Sequence, residues 1–348
     1  MAVITALGAS TPVGRNAWST AAAVRAGISR IREHPYLIDT AGEPMRVAAA
    51  NWLDRDLGGA DRFEALLLPA IDQAIAPVVS QTAPSMRCAL MLGLPSPRPG
   101  LPESLQRHIM ARIQRSYGDL LVSVSVYPAG HTAGLLALDS AVKLLGQGGL
   151  DGCVVAGVDS YLEPETLNWL ESCDQFHGAG PLNNAWGFIP GEAAGAVLVM
   201  GARTAQRMRL KPLAHILGTG SAHEPKRIKT KTVCIGEGLT QAFRAALAAL
   251  PAGTQVSDVY CDMNGEPYRA DEYGFACLRT SEAFMSVSDF VAPADCWGDV
   301  GAAGASLHLT LAAIAGVKGY ARGDTAFIWA SAEEGERAAA LVSVGGRE

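Results

Sequence analysis

Charge, aromatic residues and long apolar runs are all in short supply in this 348-residue chain. Only 18% of its residues are charged and 6% aromatic. No apolar run approaches the roughly 18 to 20 residues that span a bilayer; the longest, Leu309 to Val317, is bounded by His308 and Lys318. With 28 Lys+Arg against 34 Asp+Glu the formal charge is −6. Such a chain carries no basic footprint for nucleic acid or for an anionic membrane surface, so neither is expected as a partner. Cysteines number seven (88, 153, 173, 234, 261, 277 and 296), an odd count without a CxxC pair. That pattern argues against zinc and against a disulfide framework, and for reduced thiols in a cytoplasmic protein. The opening Met1-Ala2-Val3-Ile4 lacks a basic segment and a cleavage site, so no secretory signal is expected. No serine stands in a G-x-S-x-G elbow, which removes an α/β-hydrolase. Gly146-Gln147-Gly148-Gly149 has no strand before it and reads as a helix C-cap turn, not a dinucleotide loop.

What the chain does have is small and apolar residues: 49% are hydrophobic and 38 are glycine. This composition fits a compact α/β protein with helices packed closely on sheets. The length suggests about two domains or one large duplicated unit, and the order of motifs supports duplication. A strand from Ala2 to Leu7 runs into Gly8-Ala9-Ser10, and a second from Pro212 to Leu217 runs into Gly218-Thr219-Gly220-Ser221. Helical stretches follow at Asp61 to Val79 and Gly238 to Leu250, then short strands at Cys88 to Leu92 and Val259 to Asp262. A β-rich run then meets a glycine-bounded helix start. This occurs at Leu121 to Val126 before Gly130-His131-Thr132-Ala133-Gly134, and at Met285 to Val291 before Gly298 to Gly304. Paired strands close each half, Gly152 to Val158 with Ala194 to Met200, and Thr325 to Ala330 with Ala338 to Val344.

Strands alternating with helices predict βαβ units and mainly parallel sheets. Two such halves give a stacked α-β-α-β-α sandwich, 1–203 and 204–348, divided near Gly201-Ala202-Arg203. Segments 93–102 and 173–191 read as functional loops, and 221–232 as an exposed one.

This ordered set resembles the thiolase superfamily, and within it the β-ketoacyl-ACP synthases. The similarity rests on Gly8-Ala9-Ser10-Thr11-Pro12-Val13-Gly14 with Trp18 and Ala26-Gly27-Ile28-Ser29. It extends through Gly187-Phe188-Ile189-Pro190-Gly191-Glu192-Ala193-Ala194-Gly195, Ile216-Leu217-Gly218-Thr219-Gly220 and Gly301-Ala302-Ala303-Gly304-Ala305. The resemblance implies a five-layered thiolase-like fold and an acyltransferase (3-oxoacyl-ACP synthase) ancestry in fatty-acid or polyketide synthesis, with no cofactor and no metal. It also implies a dimer, joined through the strand Leu121 to Val126, and an acyl carrier protein as a further partner.

The chemistry of that family needs a cysteine thiolate at a helix N-terminus and two histidines for the malonyl group. This sequence departs at each point. His131 stands in the nucleophile motif, Asn264 where the first histidine belongs, and Gly298 at the second by an ungapped count back from Gly301; Pro293 falls on the lysine. Two readings of His131 are open: a nucleophile or base at a helix start, or a hydrogen-bonded polar plug. A rewired site would draw on Cys296, Asp299, Cys261 and Asp262, whereas Asp262, Asn264 and Glu266 also suit turns and caps. Glu192 reads as structural. His177, His215 and His308 have no partner at ligand spacing. Lys226, Arg227, Lys229 and Lys231 suit either an acidic carrier protein or solvent.

Two functions follow: a condensing acyltransferase with a rewired site, or a non-condensing subunit. The second would resemble a chain-length factor paired with an active ketosynthase, or a scaffold or adaptor outside acyl chemistry.

Overall fold

Apolar strands that are buried along their whole length need a hydrophobic layer on each face, and the chain supplies three such layers. A computed structural model describes residues 1–79, 86–227 and 230–345; Lys229 of the basic loop lies outside them. The first part runs β1 (Ala2–Ser10), α1 (Ala17–Arg25), β2 (Arg32–Ile38), β3 (Pro44–Val47), α2 (Gly59–Val79), β4 (Cys88–Leu94), α3 (Leu105–Tyr117) and β5 (Leu121–Pro128). It continues through α4 (Ala133–Gln147), β6 (Gly152–Ser160), α5 (Pro164–Ser172), β7 (Glu192–Gly201) and α6 (Ala202–Arg207). The second part holds β8 (Ala214–His223), α7 (Glu237–Leu247), β9 (Asp258–Cys261), α8 (Pro267–Thr280), β10 (Phe290–Val291), α9 (Ala294–Trp297), α10 (Gly304–Lys318), β11 (Thr325–Ser331) and β12 (Glu336–Ser343).

Both parts follow one plan. The strands order as β5-β4-β6-β7-β1 and as β10-β9-β11-β12-β8. In each, three parallel strands are followed by two antiparallel ones. The two five-stranded sets are not separate sheets. Residues Ala2 to Ile4 of β1 pair with Ala214 to Ile216 of β8, so the hydrogen bonding continues through ten strands.

The side-chain period of two sorts each strand between cores. In β6, Cys153 and Val155 face a central core while Val154, Ala156 and Val158 face an outer one with α2 and α3. In β11, Ala326, Ile328 and Ala330 join the same central core, and Phe327 and Trp329 enter a second outer core with α7 and α8. The central layer is α4 and α10, each touching strands of both sets. That explains why α10 is buried on nearly all sides, whereas the outer α7 is amphipathic. The result is the five-layered α-β-α-β-α arrangement. Glycine permits the close approach; a Cβ at Gly8 would collide with the Ala70 carbonyl oxygen of α2.

Some elements differ from the sequence reading. Of the strand expected at Met285 to Val291 only Phe290–Val291 pairs, because β9 offers few residues and Met285 N–H and Val287 C=O bond elsewhere. The exposed loop expected at 221–232 loses its first residues to β8. The hairpin β2–β3 and helices α3, α5 and α8 carried no assignment from sequence. The 203/204 division falls within α6.

Candidate functional site

The two central helices begin against each other, and that is where the chemistry-bearing residues gather. Each is preceded by a single tight turn, Gly130–Thr132 before α4 and Gly301–Ala303 before α10, and the two turns touch. His131 sits in the first turn, buried. Its Nε2 lies 2.9 Å from both carboxylate oxygens of Asp299. Asn264 Nδ2 donates to Asp299 Oδ2 at 2.6 Å, and the Gly301 N–H donates to Asp299 Oδ1 at 2.8 Å. Asn264 Oδ1 accepts the Glu266 N–H, a turn that sets up the start of α8.

Arg269 on α8 completes the cluster. It is fully buried, donates to Asp262 Oδ2 at 2.5 Å and to the Ser331 carbonyl at 2.8 Å, and brings Nη2 to 3.3 Å from His131 Nε2. Glu266 receives Gln175 Nε2 at 2.9 Å. Three carboxylates (Asp262, Glu266, Asp299) thus enclose one guanidinium and one imidazole. Burial by itself would favour neutral forms. For Asp299 it is outweighed by His131, Arg269 and the Gly301 N–H, which hold the carboxyl well below the usual range. For His131 burial also opposes charge, and Asp299 overrides it, so the imidazolium is favoured. The pairing with Asp299 occupies Nε2 and favours the charged ring, which makes that nitrogen a poor nucleophile.

The ungapped count falls on Gly298. Gly298 has φ 73°, caps α9, and a Cβ there would lie 2.8 Å from the Ile189 carbonyl oxygen. It is a turn residue, and the next residue, Asp299, is the one whose side chain enters the cluster. Cys296 lies in α9 outside the cavity lining, and burial together with Asp295 pushes its thiol up. Cys261 does line the cavity, but burial strongly favours its neutral thiol. Neither is poised as a thiolate. Asp262 and Glu266, read as turn and cap residues, also carry charge in the site, and Asn264 donates to both Asp299 and Glu266. His308 lines the same cavity from α10; burial lowers its pKa to about 4 and its Nδ1 has no partner. His177 lies in the loop after α5 and His215 in β8.

Space is as telling as charge. Between His131, Asp262, Asn264, Asp299 and His308 the free volume is about 20 Å³, room for the centre of one water. Ligand pockets run to about 300–1,000 Å³. His131 also lines a second cavity of about 90 Å³, walled by Ser96, Arg98, Tyr161, Trp169, Phe188 and Glu333, among others.

Arg269, Arg98 and Gln175 were missed from sequence. Arg269 left one signal, its spacing three residues after Glu266 on a Pro-started helix. Arg98 pairs with Asp159 at 2.6 Å, and Asp159 Oδ2 in turn accepts the Ala302 N–H. Glu192 is held by Arg62, Ser160 and the Ala50 N–H, away from the cluster, as a structural residue would be. Among the described residues, groups with metal-ligand spacing are Asp61-Glu64-His108 and Glu224-Cys234-Glu272, and neither includes a residue of the His131 cluster. No helix among the described residues is long and apolar enough to cross a membrane.

Comparisons with known proteins agree with this architecture. A family model described as beta-ketoacyl synthase, N-terminal domain, matches residues 111–205, which include His131 and its turn. No curated protein matches the sequence. Among solved structures the chain is similar to a type II polyketide assembly in which an acyl-carrier protein is in complex with its ketosynthase bound to the hexaketide (TM-score 0.79, 14% identity, 99% of each chain). It is also similar to the ishigamide ketosynthase/chain length factor (TM-score 0.71, 21% identity, 99% of each chain). A third is a beta-ketoacyl synthase from Burkholderia phymatum STM815 (TM-score 0.76, 14% identity, 99% of each chain). At these identities the fold is what is shared. The chain has the fold of these structures, and residues 111–205 carry the match to the beta-ketoacyl synthase N-terminal domain.

Proposed function

We propose that this chain is a non-condensing ketosynthase-like subunit of a polyketide or fatty-acid assembly, made of two duplicated halves, 1–203 and 204–348. The observation that carries the reading is the His131–Asp299 ion pair at the helix start where the related enzymes, by resemblance, hold their nucleophile. A ring held there by Asp299, with its charged form favoured, is a poor nucleophile toward a thioester. The adjoining 20 Å³ gives a malonyl group no room, and Asn264 and Gly298 stand where the resemblance puts the two histidines.

A subunit without turnover acts through its surface. β5 forms one end of the ten-stranded sheet, with Val122 exposed and the low-charge run Leu121-Val122-Ser123-Val124 at the edge. Long apolar edges invite strand pairing. Pairing with a second copy or with an intact ketosynthase would close it, and a carrier protein delivering to that ketosynthase is the further partner. The seven free thiols suit a reducing, cytoplasmic setting.

Incubation with malonyl- and acyl-carrier protein, followed by intact-mass analysis, should show no covalent adduct and no condensed product. His131→Cys alone should not restore turnover, since Asn264 and Asp299 remain. Condensation by the wild type that His131→Ala abolishes would establish a rewired enzyme instead. Light scattering of the chain alone and with a ketosynthase tests the pairing; a stable monomer in both samples contradicts it.

A further inference from the structure

The far end of α10 is about 22 Å from the His131 cluster, the length of fifteen helical residues. There α10 packs beside α1, and the two helices leave an open groove of about 690 Å³. Residue spacing on α1 explains it. Ala17, Thr20 and Ala21 turn inward and are buried, whereas Trp18, Ala22 and Arg25, at i, i+4 and i+7, form a stripe on the groove side. The middle of that stripe is alanine, which leaves room above the helix. Ile314 and Lys318, four apart on α10, supply the facing wall together with Tyr320 just beyond its end.

Each helix places a cation over a ring that belongs to the other side. Arg25 Cζ is 4.1 Å from the Tyr320 ring centroid, and Lys318 Nζ is 5.2 Å from that of Trp18. Stacking fixes where the charges sit and leaves their N–H donors free. Among the described residues neither side chain has a hydrogen bond or an ion pair, and no carboxylate lines the groove. Both cations stand in the last turn of their helices, where the dipole favours them. That placement accounts for the charges, but not for the indole of Trp18 left 45% exposed beside them. On a chain of net charge −6, two uncompensated cations around an apolar floor invert the local character of the surface.

A wholly apolar guest would cover the rings and strip water from two cations without replacing it. A bare inorganic anion would answer the cations and leave the rings exposed. A molecule with an apolar body and an anionic head answers both. Size favours a small molecule over a protein: seven residues line the groove, against about 20–30 on each side of a standard protein interface. The volume also falls within the range of about 300–1,000 Å³ found for ligand pockets.

We propose that this groove binds a small organic acid with an apolar alkyl or aryl body. Its carboxylate is taken by Arg25 and Lys318, and its body lies between Trp18 and Tyr320 over Ala22 and Ala26. The proposal goes beyond the non-condensing reading and does not require it.

Calorimetric titration of the full chain with octanoate and phenylbutyrate, alongside octanol, octylamine and acetate, tests it. At least one of the two larger acids should bind with a Kd below about 1 mM, and about tenfold more tightly than the alcohol, the amine or acetate. Arg25→Met and Lys318→Met keep the aliphatic stem at exposed positions and should each weaken that acid about fivefold. Tryptophan emission should respond to the acid in the wild type and lose that response in Trp18→Phe. The proposal is overturned if neither acid binds below about 1 mM, or if octanol binds as well as octanoate. It is equally overturned if both methionine variants keep wild-type affinity, or if Trp18→Phe leaves the emission response unchanged. Binding of an acidic amphipathic peptide where both acids fail would make the groove a protein-docking face and overturn it too. Binding is read on the isolated chain without turnover, so its failure and a failure of the condensation assay are separate results.

Discussion

The starts of α4 and α10 occupy corresponding places in two five-stranded units of the same topology, and they have been finished in opposite ways. At α10 the chain supplies its own carboxylates, Asp159 and Asp299, to the first N–H groups. At α4 the turn carries a histidine held by Asp299 and has no cap of its own. The sheet ends differ as well. β5 is eight residues long and forms an edge with an exposed valine, whereas β10 is two residues tucked partly against the outer core. The two units therefore share strand order and direction, while the ends of elements diverge. Helix starts and sheet edges are where backbone groups lack partners within the element, so a single side chain there changes charge or exposure without disturbing the core.

The sharpest way to break the comparison is to remove Arg269, the buried guanidinium beside His131. Arg269→Met leaves Asp262 and Glu266 buried without their guanidinium, and should cost about 3–5 kcal/mol in urea denaturation. An unchanged midpoint would mean that water reaches these carboxylates. Next come the two turn glycines. Gly301→Ala, at φ 44°, would drive a Cβ into the Asp159 carboxylate, and should cost about 2–3 kcal/mol. Gly130→Ala, at φ 52°, meets only Ser96 Oγ at 3.1 Å and should cost about 1 kcal/mol. Equal losses would remove the distinction between a filled start and an open one.

The two histidines should separate the starts by pH. His131, with its pKa raised, contributes stability that is full below the unfolded value near 6.5 and is lost as pH rises through the folded value. His308, lowered to about 4, works the other way: the unfolded chain takes up the proton first, so stability falls as pH drops from about 6.5 to about 4. Asp299 adds a further loss only in stronger acid, as pH falls through its depressed value. Thermal melts across pH should lose their alkaline slope in His131→Gln and their mildly acidic slope in His308→Gln. The smallest effect is expected away from both starts. Lys143→Ala removes an exposed pair with Asp139 on α4 and should change stability by less than about 0.5 kcal/mol.

Much of the fold was legible because it rests on local patterns. Apolar runs such as Cys153 to Val158 and the glycine-bounded starts at 130 and 301 mark strands and helices wherever they fold. Elements whose signal is weaker were not: α8 mixes Arg269, Asp271, Glu272 and Tyr273, and only the outer core explains which of them faces inward. In the site, His131, Asn264 and Gly298 were named from motif positions, and Asp299 as a neighbour of the last. The count that landed on Gly298 named a residue without a side chain, and it is the neighbouring Asp299 that reaches His131.

The sequence by itself determined the layers: small apolar residues with a period of two in strands, and helices apolar all round only in the centre. It also determined what is absent from the motif positions, a cysteine and two histidines. Only the tertiary structure decided the charge state of what replaces them. Asp262, Asn264, Arg269 and Asp299 reach His131 across more than a hundred residues of chain, and the pairing of Asp299 with that imidazole, rather than with solvent, depends on two helix starts meeting in a space with room for one water. Hydrophobic pattern is a property of neighbours in sequence, and ionisation is a property of neighbours in space.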